Sequence, residues 1–140
     1  MKSFTDSIAW QKAMELNVAV DIALEGSKNF GFKDQLYRAC LSICNNLAEG
    51  HEMPSTKHQV HYLWIAKGSC NEVCSMLLLA KRRGYFTQDQ VDVMLDLQDE
   101  IGRLLRTYIK NKSGKWGTIP GAMSLLLLWA KLTTPVALHS

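Results

Sequence analysis

The segment Leu36–Gly50, LYRACLSICNNLAEG, carries two faces on one helical repeat. Leu36, Ala39, Cys40, Ile43 and Leu47 recur at intervals of three and four, which places them in one buried stripe. Arg38, Ser42, Asn45, Asn46 and Glu49 fill the rest of the surface, where a core has no use for them. Gly50 is expected to close the helix, because glycine tolerates the left-handed conformation of a helix terminus. A segment with one apolar face and one amide-rich face must cover both against defined neighbours. That constrains assembly more than chemistry.

Three other segments share the period. The first runs from about Thr5 to Glu25, with Ala13, Leu16, Val20 and Ala23 inward; the second, holding the stripe above, spans about Lys33 to Glu49. Ser55 is placed to cap the third, which turns Leu63, Ala66, Cys70, Val73, Leu77 and Ala80 inward. That helix ends at Gly84 after Lys81, Arg82 and Arg83, cations that suit a helix C-terminus. Thr87 and Gln90 form a capping box for the fourth, whose expected stripe is Val91, Met94, Leu97, Ile101, Leu104 and Tyr108. No stretch alternates polar and apolar residues long enough to be a strand. Short connections force antiparallel neighbours. The expected fold is all-α: an antiparallel up-down-up-down four-helix bundle over residues 1–112, followed by a C-terminal apolar tail, residues 113–140.

The tail has no acidic residue, and Met123–Ala130 is strongly apolar. A transmembrane helix needs about 20 apolar residues. Lys131, Pro120 and Pro135 interrupt the stretch of that length, so no membrane partner is expected. The tail reads better as a cover for a neighbouring subunit's apolar surface, with a disordered extension as the alternative.

A chain of 140 residues suffices for one domain with a real core. Its 47% hydrophobic and 21% charged residues exclude a disordered chain. Asp6 and Glu15 interrupt the N-terminal segment, so it does not read as a signal peptide. Four cysteines without such a signal point to free thiols and a cytoplasmic setting. Cys40 and Cys44, like Cys70 and Cys74, are spaced for one helical face, and four thiolates suit zinc. Folding back about residues 51–54 places Cys70 level with residue 36, which offsets the pairs, so no metal is expected. His51, His58 and His61 read as a solvated helix boundary rather than a ligand set. No nucleophile–base order, phosphate loop or buried carboxylate pair stands out. The expectation is a protein that is not an enzyme and holds no cofactor.

Charge is more informative. Residues 51–84 carry five Lys/Arg against two acids, although the whole chain is only +3. The fourth helix starts with Asp89, Asp92, Asp96, Asp99 and Glu100 and finishes with Arg103, Arg106, Lys110 and Lys112. Antiparallel register about residue 85 sets Lys67 level with Arg103 and His58 level with Lys112. Lys2 and Lys12 come toward the same end, and Lys57 and Lys115 extend it. The expected nucleic-acid-binding set is Lys57, His58, His61, Lys67, Arg103, Arg106, Lys110, Lys112 and Lys115, with the two histidines contributing once acid charges them. Part of this charge simply complements a helix C-terminus. Trp10, Tyr62 and Trp64 lie partly off the inner stripes, and Arg38, Glu49 and Glu72 are candidates for buried polar pairs. Together these six form the expected subunit interface.

Three segments resemble a known family. FTDSIAWQKAMEL at 4–16 resembles its opening signature, F-x-D-x-x-x-W-Q-K-A-x-E-L. Leu36–Gly50 resembles L-x-R-A-x-x-S-I-x-x-N-x-A-E-G, and YLWIAKGSCNE within residues 55–86 resembles F-L-x-I-A-x-G-S-x-x-E. The family is that of four-helix-bundle proteins encoded in intervening sequences of bacterial 23S rRNA genes. It is similar in fold to the accessory variability determinant of diversity-generating retroelements. The resemblance implies a four-helix protomer, usually in a barrel-shaped homopentamer. For the retroelement branch it also implies binding to a reverse transcriptase and to RNA or DNA. The chain departs from the pattern with Cys44 in place of a proline, with His51, Glu52 and Met53 in place of a basic pair, and with His58, Gln59 and Val60 in place of an acidic-aromatic pair. Two functions follow as expectations: an oligomeric nucleic-acid-binding scaffold, or a purely structural oligomer or protein-interaction module whose basic end serves only solubility.

Overall fold

The computed structural model describes residues 3–114. A short 3-10 turn, Phe4–Asp6, leads into α1 (Ile8–Leu24), α2 (Phe30–Glu52), α3 (Thr56–Arg83) and α4 (Gln88–Ser113), with no strand among the described residues. Each helix packs on its chain neighbours, and α1 packs on α4 to close the bundle. The result is the expected four-helix bundle. The apolar tail lies outside the described residues.

Local signals explain most boundaries. The Ser7 side chain accepts from the Trp10 amide, so α1 starts after the 3-10 turn rather than at Thr5. Asn29 caps α2 through the Phe32 amide, which moves that helix start back to Phe30. Ser55 accepts from the His58 amide, and Thr87 and Gln90 form the anticipated capping box. Gly84 closes α3 with a left-handed φ of 66°.

Gly50 behaves differently from the expectation. It does not stop α2; the helix continues through it to Glu52. The glycine is needed for proximity instead. A Cβ built there would sit 2.8 Å from the Tyr62 Cβ, so α2 and α3 approach closely where a side chain has no room.

The stripes of α2 and α3 are buried as anticipated, joined by Cys44 and Val60. In α1, Leu24 takes the inner place expected of Ala23. In α4 the stripe rotates in its second half. Gln98, Leu105 and Ile109 are buried, while Leu97, Leu104 and Tyr108 are only partly so. Gln98 is tolerated inside because its amide donates to the Cys70 carbonyl at 3.3 Å.

Candidate nucleic-acid interface

Side-chain bonds fix the register that brings the cations together. The Cys70 thiol donates to the Gln98 carbonyl at 3.3 Å, and Lys112 Nζ donates to Gln59 Oε1 at 2.6 Å. These two pairs set Lys67 opposite the stretch of α4 that holds Arg103 and Arg106. Arg103, Arg106 and Lys110 follow at intervals of three and four, hence on one side of α4. Lys67 is half-buried and donates to Asn71 Oδ1 at 2.5 Å. Burial pulls its pKa down, and the nearby Arg106 guanidinium adds to the effect.

The candidates are not equally available. Arg103 Nε pairs with Asp99 at 3.2 Å, and Lys12 is engaged by Glu100. The hydrogen bond to Glu100 raises the Lys12 pKa, and the same bond lowers that of Glu100. Lys67, Arg106, Lys110 and Lys112 make no ion pair among the described residues. Lys57 and His58 are exposed on the first turn of α3, where His58 Nδ1 lies 2.6 Å from the Ser55 hydroxyl. His61 is half-buried and meets the Tyr62 ring edge-on at 5.7 Å. Lys2 and Lys115 lie outside the described residues.

Of the residues proposed for subunit contact, Trp10 and Trp64 are half-buried and pack on the core of their own chain. Trp10 also meets Phe4 in a T-shaped contact at 5.4 Å. Tyr62 is half-buried. Arg38, Glu49 and Glu72 are all exposed on the single chain, so they form no buried polar pair within the bundle. Arg38 pairs with Asp34 one turn away at 3.0 Å, and Glu72 accepts from Gln35. Large uncovered aliphatic groups stand elsewhere. Ile8, Met14, Val18 and Ile22 on α1 are joined by Leu41 on α2, and Val18 and Ile22 are 58% and 62% exposed.

The cysteine register also needs correction. The Ser42 and Ser69 hydroxyls lie 2.7 Å apart, which puts Cys70 level with residue 41 rather than 36. The cause is the extra length of α2, which shifts the turn toward Ser55. Cys40 and Cys70 are therefore neighbours, while Cys44 faces Asn17 and Met14 of α1. Burial pushes the Cys40 thiol up to about 12, helped by the two other thiols, and Cys44 up to about 11. No group of three or more His, Cys, Asp or Glu gathers for a metal among the described residues. No described helix is long and apolar enough to cross a membrane.

A cleft of about 250 Å³ opens where the Phe4 turn, the end of α2, the start of α3 and the end of α4 meet. Leu47, Gly50 and Leu63 give it an apolar base, and Phe4, Tyr108, His51, Gln59, Ser7 and Lys112 line the remainder. Sequence reasoning missed it. Its residues come from four separate segments, and the one local signal, Gly50, reads equally well as a helix stop.

A closed bundle of four helices, with Lys67 and Arg106 brought together between α3 and α4, defines a small all-helical protein. Residues 5–107 match the model of the 23S rRNA-intervening sequence proteins, and the chain belongs to that family. It is also similar to a crystal structure from Bacteroides thetaiotaomicron, a protein with unknown function from the S23 ribosomal protein family. The two are 28% identical, with a TM-score of 0.69 over 74% of this chain and 99% of the other. No curated protein matches the chain. Lys110 and Lys112 lie beyond the family match.

Proposed function

We propose that this chain is a non-enzymatic, cytoplasmic, oligomeric scaffold whose basic end holds the backbone of RNA or DNA. The observation that carries the reading is Lys67 held beside Arg106, with Lys110 one turn further along the same side of α4, none of the three ion-paired among the described residues. A fold that needed these charges only for solubility would scatter them. Here Lys67 is kept half-buried beside Arg106, at a cost in desolvation and repulsion that a phosphate between them would relieve. Met14, Val18 and Ile22, exposed at intervals of four along α1, support self-association, and the family resemblance favours a pentamer. A ring would repeat the cationic side once per subunit. The likeness to the retroelement accessory determinant makes a reverse transcriptase a second candidate partner.

The test is binding to single-stranded and duplex nucleic acid across a salt titration. Replacing Arg103, Arg106 and Lys110 together by Gln should weaken binding to all sequences alike and flatten the salt slope. Light scattering at micromolar concentration should report an oligomer. Binding unchanged by the triple substitution, or no binding by the parent at low salt, would leave only the structural oligomer.

A further inference from the structure

The cleft at the bundle end has features that phosphate binding does not use. Its base is apolar, two aromatic rings stand at its wall, and its polar groups belong to three different chemical types. Gln59 is held from both sides: its Nε2 donates to the Met53 carbonyl at 2.9 Å while its Oε1 accepts from Lys112. Ser7 is buried and lines the cleft, and its oxygen accepts from the Trp10 amide at 3.4 Å. Lys112 and His51 bring positive or titratable nitrogen to the same opening. A cavity of roughly 150 Å³ accommodates benzene. The volume here, about 250 Å³, therefore holds one flat heteroaromatic ring system with room for its polar edge.

We propose that this cleft receives one unstacked base of a single-stranded nucleic acid, against Phe4 and Tyr108, while Lys112 meets the adjoining phosphate. The inference rests on the nucleic-acid reading above and narrows it to unpaired strands. Every base has a π-face, so a stacking pocket of this kind tolerates any sequence. A duplex keeps its bases stacked and cannot fill the cleft without first unpairing.

The experiment compares three probes of equal phosphate number by fluorescence anisotropy at one salt concentration: a single-stranded oligonucleotide, a duplex of half its length, and a single strand of abasic sites. The full chain should bind the base-bearing strand about 5- to 150-fold more tightly than the abasic one, the range that one stacked base gives. Tyr108→Leu, which keeps apolar bulk and removes the ring, should reduce that ratio and leave abasic binding unchanged. A strand carrying 2-aminopurine, read with the unmodified protein, should lose emission on binding as the base enters the cleft. Equal affinity for the base-bearing and abasic strands would overturn the pocket and leave backbone binding intact. Failure of every probe at low salt would overturn the nucleic-acid reading and the pocket with it.

Discussion

Two glycines, both inside helices, should respond differently to the same substitution. Gly68 lies exposed in α3, and a Cβ there would meet nothing within 4 Å. Gly68→Ala should therefore stabilise by about 0.5–1 kcal/mol, the ordinary helix-propensity gain. Gly50 earns the same gain in α2, but its Cβ would stand 2.8 Å from the Tyr62 Cβ. Carbon atoms prefer about 3.5–4.0 Å, so the two backbones must part by roughly 1 Å. The Tyr62 Cβ cannot swing aside by a rotamer change, since it moves only with α3. Overpacking of this kind costs about 1–3 kcal/mol, enough to cancel or exceed the propensity gain. The two variants should then differ by about 1–3 kcal/mol, or roughly 1 M in urea midpoint for a slope near 1–3 kcal/mol/M. Equilibrium urea unfolding followed by helical circular dichroism measures this directly. If Gly50→Ala stabilised the protein as much as Gly68→Ala does, close approach would not explain Gly50.

The buried thiols give a pH dependence. Above their ordinary value of 9.0 the unfolded chain releases protons that the folded chain retains on Cys40 and Cys44. The stability they supply is complete below pH 9 and falls as pH rises toward 11–12. The two thiols together should cost roughly 2–3 kcal/mol between pH 8 and 10. Urea midpoints should show a smaller decline in the Cys40→Ala/Cys44→Ala variant; an equal decline would reject the assignment. Cys40→Ser should destabilise by about 1–3 kcal/mol at neutral pH, because a hydroxyl replaces the thiol in an apolar site. Thr87→Ala should lose about 1 kcal/mol by thermal or urea unfolding, since the Gln90 amide loses its 3.2 Å acceptor.

Much of the architecture was legible because the stripes of α2 and α3 admit one reading. In α4 the sequence offers two adjacent stripes with the same spacing. Leu97, Leu104 and Tyr108 compete with Gln98, Leu105 and Ile109, and a glutamine looks like surface. Only its contact with the Cys70 backbone, far away in the chain, decides the rotation. Gly50 failed for a related reason. A glycine that permits a turn and one that permits close approach are the same letter, and the difference lies in what stands opposite. The cationic α4 face could be read from spacing, whereas the Arg103–Asp99 pair that engages one of its charges, and the pair between Glu100 and Lys12 of α1, depend on rotamers. The cleft was invisible because no single segment contributes enough of it.

An even number of antiparallel helices has a practical consequence. Ser7 and Lys112 line the same cleft, so the chain enters and leaves the bundle at one pole, together with the α2–α3 turn. Among the described residues the opposite pole holds the connections between α1 and α2 and between α3 and α4. A fluorophore or a tether attached beside Ser3 or Gly114, the two ends of the described residues, would crowd the very pole where binding is sought. A label placed in the Gly84–Thr87 connection would stand a helix length away and report on the molecule without obstructing it.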